Sequence, residues 1–97
     1  MSVYAVEYIY SPETVEARDD FRPVHRAWLS ELIEAGTVLA SGPYPDGSGA
    51  LLLFLAGDDA ALAALLAQDP FAIEHCITAT NIHPWNPGMG LLKEYAL

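Results

Sequence analysis

A histidine that stands at helical spacing from a stripe of apolar residues is the first candidate for chemistry in this sequence. His25 is followed three, four, seven and eight positions later by large apolar side chains, namely Trp28, Leu29, Leu32 and Ile33. Residues at these intervals share one face of a helix, so His25 is expected on the face that turns toward the core. Pro23 suits the first turn of this helix, because its missing N–H would have no partner there.

A half-buried histidine near the start of a helix is suited to proton transfer. The positive end of the helix disfavours a charged imidazole, and a mostly neutral ring can take up a proton and return it. The same spacing is also typical of a histidine that packs in a core and bonds to the backbone. From the residues alone, both roles stay open for His25.

Asp69 is the acidic residue that could support this histidine. A carboxylate that orients an imidazole is a common arrangement in general acid–base catalysis. Asp69 also stands directly before Pro70, and an aspartate in that position is a good cap for a short helix. A structural role therefore competes with a catalytic one, and the two candidates lie so far apart in the chain that the fold alone can join them.

Four residues are candidates for holding a polar group of a ligand. Arg22 offers a planar fork of donors for a carboxylate or phenolate, although it could equally pair with one of the thirteen acidic residues. Ser41 can donate a hydrogen bond, and Gly42 lets a ligand approach the backbone closely. With Pro43, the same segment can also simply end a strand.

Three aromatic residues could form the wall of a pocket of aromatic size: Phe71, Trp28 and Trp85. Large apolar side chains at such spacing also serve as plain core. A small-molecule ligand is the partner that this set predicts.

Metal and cofactor chemistry has weak support in the sequence. His75 and Cys76 are adjacent and would point to opposite faces of a strand, and His83 completes no recognised zinc spacing. Cys76 fits a buried structural thiol better than a nucleophile. The sequence also lacks a phosphate-cradling glycine loop and a Gly-x-Ser-x-Gly elbow. We therefore predict neither a metal nor a cofactor.

Composition limits the partners. Four Lys and Arg against thirteen Asp and Glu give a net charge of −9, which repels nucleic acid and anionic membranes. With 53% apolar and 18% charged residues, part of the surface is expected to be covered by another subunit. A lone cysteine, the lack of a leader pattern and the lack of an apolar run of ~20 residues favour the cytoplasm.

The hydrophobic pattern predicts one domain over residues 1–97 with strands and helices in alternation. The predicted strands are 3–10, 37–41, 50–56 and 77–83; the predicted helices are 13–18, 23–34, 60–68 and a turn at 70–74. Gly36 is expected to end the main helix, and residues 85–97 are expected to form a C-terminal arm. This order corresponds to a ferredoxin-like split βαβ fold, an antiparallel four-stranded sheet with two main helices on one face. The bare face would pack against a second sheet in a homodimer.

A resemblance connects the candidate residues. The chain resembles the YCII-related (YciI-like) family in five segments along its length: Arg22-Pro23-Val24-His25, 29–36, Ala40-Ser41-Gly42-Pro43, Asp69-Pro70-Phe71 and Ile82-His83-Pro84-Trp85. The resemblance implies a dimeric α+β barrel with an active site built around a histidine and an aspartate, matched here by His25 and Asp69. The family includes dehydrochlorinases of chlorinated hydroxyquinols, and it shares its fold with muconolactone isomerase-like enzymes. The tail after Trp85 and the position of His83 depart from its pattern.

These inferences together predict a cofactor-free lyase or isomerase that acts on a compact cyclic or aromatic metabolite. His25 would move the proton and Asp69 would hold or polarise it, while Arg22 would attract an anionic group. A homodimer, or a higher oligomer built from it, is the expected assembly. The alternatives are a non-catalytic dimer that binds a small ligand or serves a pathway enzyme as an accessory subunit, and a purely structural dimer without a cavity.

Overall fold

Four antiparallel strands form one sheet in the computed structural model, which describes residues 1–97. The strands are β1 (Ser2–Ile9), β2 (Val38–Pro43), β3 (Gly49–Ala56) and β4 (Ala79–Trp85), and their order in the sheet is β2-β3-β1-β4. The helices are α1 (Val15–Glu34), α2 (Asp59–Leu66) and the short α3 (Pro70–Ile73). Two 3-10 turns cover Pro12–Thr14 and Lys93–Tyr95. The predicted ferredoxin-like α+β fold is confirmed.

The core lies between the helices and one face of the sheet. In β1, Tyr4, Val6 and Tyr8 point to this face and are buried, as expected for alternate residues of a strand. Their partners in β3 are Phe54, Leu52 and Ala50, which are also buried. This inward face of β1 brings Tyr8 close to the helices.

Helix α1 differs from its prediction. Instead of a short helix, a loosened segment and a second helix, one continuous helix of 20 residues runs from Val15 to Glu34. Ser11 does cap the first turn, accepting from the backbone N–H of Glu13, but Pro23 lies inside the helix rather than at its start. Pro23 cannot donate to the carbonyl four residues earlier. Because Pro23 and that residue, Asp19, are exposed, water can satisfy the free carbonyl.

His25 consequently lies in the middle of α1 and not at its positive end. The expectation that the helix terminus disfavours a charged ring at His25 is therefore wrong, since the effect of the dipole fades within the first turn. The C-terminus of α1 is as predicted: Gly36 takes a positive φ of 77° just beyond the helix.

The edge strands run further than the sequence indicated. β2 continues through Gly42 and Pro43, and Pro43 pairs with Ala50. β4 starts two residues later than predicted and continues through Pro84 to Trp85. Both strands lie at an edge of the sheet, where a proline without an N–H is tolerated.

The outer face of the sheet carries no helix and mixes apolar and polar side chains. Leu51 is 41% exposed and Trp85 is 44% exposed. On this face the carboxylate of Glu7 accepts hydrogen bonds from Tyr44 Oη at 2.6 Å and Asn81 Nδ2 at 3.1 Å. These two donors lower the pKa of Glu7.

The segment after β4 folds back on its own beginning. The backbone N–H of Leu97 donates to Oδ1 of Asn86 at 3.0 Å, and the predicted arm thus begins after Trp85, which belongs to β4. None of the helices combines the length and the apolar character that crossing a bilayer requires.

Candidate functional site

His25 and Asp69 are in direct contact. Nδ1 of His25, in the middle of α1, lies 2.7 Å from Oδ1 of Asp69, the residue that precedes α3. Asp69 is fully buried and His25 is 8% exposed. The same Oδ1 atom also accepts a hydrogen bond from the backbone N–H of Phe71 at 2.9 Å. Asp69 therefore caps α3 and contacts the imidazole at once, so the two roles considered for it are compatible.

Tyr8 is a third member of this cluster that sequence reasoning missed. Its hydroxyl donates to Oδ2 of Asp69 at 2.8 Å. Burial and the neighbouring carboxylate raise the pKa of Tyr8 far above its ordinary value, so the hydroxyl keeps its proton and remains a donor. The available signal was the alternation of β1, since a tyrosine on a buried face usually finds a hydrogen-bond partner.

Three hydrogen-bond donors from three parts of the chain thus surround the buried carboxylate. They come from α1, β1 and the first turn of α3. Such donors replace the hydrogen bonds to water that a buried carboxylate loses. The carboxylate of Asp69 is held in one orientation, with Oδ1 toward the imidazole.

Phe71 fixes the plane of the imidazole. The rings of Phe71 and His25 are parallel within 3°, with their centroids 3.9 Å apart. Because Phe71 follows Asp69 by two residues, one short helix supplies both the carboxylate and the stacking ring.

The second nitrogen of His25 is accessible. Nε2 has no hydrogen-bond partner in the protein, and no fully buried side-chain nitrogen or oxygen atom lacks a partner, so Nε2 is in contact with solvent. His25 itself lines a cleft. With an ionised Asp69 accepting from Nδ1–H, the neutral ring carries its lone pair on Nε2. This is the arrangement of a general base.

A cleft of about 450 Å³ adjoins the ring. Its walls come from α1, the end of β2, the start of β3 and α3, and the lining residues are Tyr10, Arg22, His25, Arg26, Leu29, Ser30, Ile33, Ser41, Gly42, Pro43, Ala50 and Phe71. Five of the predicted ligand-binding residues are among them: Arg22, Ser41, Gly42, Pro43 and Phe71.

The two tryptophans do not line this cleft. Trp28 packs against the core, with its ring centroid 6.3 Å from that of Phe54. Trp85 pairs with Val3 at the end of β4 and lies on the outer face of the sheet. The helical spacing from His25 correctly predicted that Trp28 lies on the inward side of α1. Part of that side packs against the core and part lines the cleft, and Trp28 belongs to the part that packs against the core.

Tyr10, Arg26 and Ser30 line the cleft and were missed. Burial and the charge of Asp69 raise the pKa of Tyr10 to about 12, so its hydroxyl is a donor at neutral pH. Arg26 and Ser30 follow Arg22 at intervals of four residues, and this helical period could have identified them.

The residues considered for metal binding are not brought together. No group of three or more His, Cys, Asp or Glu side chains could hold a metal ion. Cys76 is buried, and burial raises the pKa of its thiol, which disfavours the nucleophilic thiolate. His83 pairs with Ala5 on the outer face of the sheet.

Comparison with known proteins agrees with this fold. A family model described as the YCII-related domain matches residues 2–86. No curated protein shows a significant match to the sequence.

Solved structures that resemble the chain include the following two. The structure of 5-chloro-2-hydroxyhydroquinone dehydrochlorinase (TftG) from Burkholderia phenoliruptrix AC1100, in complex with 2,5-dihydroxybenzoquinone, superimposes with a TM-score of 0.77 at 20% identity, over 87% of this chain and 93% of that one. A candidate antibiotic biosynthesis monooxygenase from Bacteroides thetaiotaomicron VPI-5482 gives a TM-score of 0.52 at 19% identity, over 93% and 94% of the two chains. At these identities the likeness concerns the fold.

Proposed function

We propose that this chain, which belongs to the YCII-related family, is a small-molecule lyase or isomerase in which His25 transfers a proton. The observation that carries the proposal is the pairing of His25 Nδ1 with the buried Asp69 at 2.7 Å in a residue that lines the cleft, while Nε2 has no partner in the protein. His25 and Asp69 are the proposed catalytic pair, and Tyr8 is a positioning residue that holds the carboxylate.

The proposed step is a general-base reaction. Nε2 takes a proton from a C–H or O–H bond of the substrate, and the electron pair of that bond forms a new π bond. In a lyase reaction a leaving group such as chloride departs with the electron pair of its bond to carbon, and His25 then releases the proton to water. In an isomerase reaction His25 returns the proton to another atom of the substrate. Asp69 stabilises the imidazolium that forms in between.

The cleft and a structural neighbour support the proposed substrate class. A volume of about 450 Å³ suits a compact cyclic or aromatic metabolite. The structural neighbour TftG is a dehydrochlorinase and is complexed with 2,5-dihydroxybenzoquinone, a ring of this size. Arg22, Ser41, Gly42, Pro43 and Phe71 would contact such a ring. Proton transfer of this kind requires neither a metal nor a redox cofactor.

We expect the working assembly to be a homodimer in the cytoplasm. The outer face of the sheet exposes apolar side chains, among them Leu51 and Trp85, and two such faces can pack against each other as paired sheets. Light scattering coupled to size exclusion would give the mass; a monomer at micromolar concentration would contradict the proposed dimer.

Turnover of 5-chloro-2-hydroxyhydroquinone, followed by chloride release, tests the proposed chemistry. His25→Gln is expected to lower the rate by about 100-fold or more. His75→Gln is the matched control, because it makes the same change at an exposed histidine that does not line the cleft, and it should leave the rate unchanged. A His25→Gln protein that works at the normal rate would refute the proposal.

A wild-type protein that binds such rings without converting any of them would instead support the binding module. The ring signals of His25 in an NMR titration separate the outcomes. They should shift when a ligand occupies the cleft, and they should not shift if the ligand binds elsewhere.

A further inference from the structure

The cleft carries a charge opposite to that of the whole chain. The protein has a net charge of −9 and thirteen acidic residues, yet none of the residues that line the cleft is acidic. Two of the four basic residues, Arg22 and Arg26, are part of the lining. Positive charge in this acidic protein is therefore concentrated in the cleft that His25 lines.

The positive charge follows a single row on α1. Arg18, Arg22 and Arg26 stand four residues apart, so their side chains lie one above the other on the helix surface. Like charges at this spacing repel and destabilise an isolated helix. The partners of each arginine therefore decide which of them can bind an anion.

The three arginines differ in the partners that they already have. Arg18 is buried, bonds to the backbone oxygen of Ser11 and lies over the ring of Tyr10. Arg22 forms an ion pair with Asp19 at 2.6 Å.

Arg26 is the arginine that lines the cleft without a partner inside the protein. It takes part in no salt bridge. The positions three and four residues before and after it carry no acid: they are Arg22, Pro23, Leu29 and Ser30. Arg26 is exposed and lines the cleft, and no acid of the chain is paired with its guanidinium.

Hydrogen-bond donors and an apolar floor complete the site. Ser30 on α1 and Ser41 on β2 line the cleft, as does Tyr10, whose hydroxyl stays protonated at neutral pH. Phe71 and Ala50 supply apolar surface. This combination matches a small ring that bears an ionised oxygen.

We propose that the cleft selects an anionic substrate, an ionised phenol, enol or aromatic carboxylic acid, and that Arg26 is the residue that binds the charge. The inference rests on the proposed function only for the position of the reacting ring beside His25. Arg22 assists from one turn away, with part of its charge already used by Asp19. A guanidinium beside a developing enolate or phenolate also stabilises the charge left on the ring when His25 removes a proton.

Matched pairs of ligands that differ in charge and hardly in shape test the inference. The probes are benzoate against benzamide and 4-hydroxybenzoate against 4-hydroxybenzamide, titrated at neutral pH and followed by NMR shifts of the cleft residues. We expect each acid to bind about tenfold more tightly than its amide. Arg26→Gln should reduce this ratio to about threefold or less, and added salt should weaken the acid selectively.

Lys93→Gln is the control, because it removes the same charge from an exposed residue outside the cleft; the ratio should not change. An equal affinity for acids and amides, no binding of either acid at millimolar concentration, or a preference that survives Arg26→Gln would each overturn the inference.

The result is separable from the test of the chemistry. Equal affinities in a protein whose turnover depends on His25 would refute anion selection alone. If the acids still bind more tightly than the amides and the His25→Gln variant works at the normal rate, proton transfer alone would be refuted.

Discussion

The hydroxyl of Tyr8 donates to the Asp69 oxygen that does not contact His25, across 61 positions of the chain. The central strand β1 and the short helix α3 are thereby linked through a carboxylate that is completely buried. Oδ2 is held by Tyr8, and Oδ1 is left to receive the imidazole and the N–H of Phe71. Tyr8 of the sheet therefore orients the carboxylate of Asp69, and that carboxylate in turn orients the imidazole of His25.

Tyr8→Phe should destabilise the protein and impair the proposed chemistry together. The substitution leaves Oδ2 of Asp69 buried without a donor, and we expect a loss of about 1–3 kcal/mol in the free energy of unfolding. Urea denaturation measures it. Tyr4→Phe is the matched control on the same strand, because the Tyr4 hydroxyl contacts Asp59 in a less buried pair, and its loss should be smaller. Equal effects of the two variants would contradict the role given to Tyr8.

Asp69→Asn should preserve the shape of the site but make His25 a much poorer proton acceptor in the reaction. The amide can still accept from the N–H of Phe71, but it cannot stabilise an imidazolium at His25 as a carboxylate does. We expect turnover to fall by about 100-fold or more. Asp69→Ala should lose the cap of α3 as well and unfold more easily. A variant Asp69→Asn with an unchanged rate and pH profile would show that the pair is structural.

Tyr10 gives a prediction at high pH. Its pKa is raised to about 12 in the folded protein, against an ordinary value of 10.0. A raised pKa stabilises the fold below the ordinary value, and this contribution is lost as the pH rises through the folded pKa. The free energy of unfolding should therefore fall between about pH 10 and 12.

The variant Tyr10→Phe isolates this contribution. Because Tyr8 titrates even higher, both tyrosines contribute to the fall in the wild type, and Tyr10→Phe should make it shallower. Absorbance of the phenolate should appear at lower pH in the unfolded protein than in the folded one. A pH dependence that is identical in the variant would contradict the prediction.

Pro23→Ala should stabilise the protein. Alanine restores the N–H that can donate to the carbonyl of Asp19 inside α1, and the position is exposed. Replacing a proline inside a helix stabilises the folded protein, but alanine also gives the unfolded chain more conformational freedom. We therefore expect the free energy of unfolding to rise by about 2 kcal/mol. Thermal unfolding measures it, and Val24→Ala, at the next exposed position, should change the stability by only a few tenths of that amount. A fall in stability would show that Pro23 has packing contacts worth more than the missing hydrogen bond.

The sequence was sufficient to predict the order of the elements and to place His25 on the inward face of α1 and Asp69 before α3, because these features depend on local patterns. The alternation in β1, the glycine after α1 and the Asp-Pro pair before α3 are each visible over a few residues. The start of α1 was predicted wrongly because a proline is typical of the first turn of a helix. The helix continues before Pro23 because Arg18, His25 and Leu29 pack on its buried face, and such tertiary contacts are not visible in a local pattern.

Two features could not be found from local patterns alone. The contact of Tyr8 with Asp69 requires the register of β1 against the helices, and no spacing rule encodes it. The cleft includes Tyr10 and Ala50, which the sequence treats as ordinary strand residues. What distinguishes them is the position of α1 over the sheet, which results from the whole core.

A single oxygen atom, Oδ1 of Asp69, caps helix α3 through the N–H of Phe71 and also contacts Nδ1 of His25. If the four residues of α3 fray, the acid and the ring of Phe71 withdraw from the imidazole in the same event. We therefore expect hydrogen–deuterium exchange at the Phe71 amide to report how often the site is disassembled, and a ligand that occupies the cleft should slow that exchange.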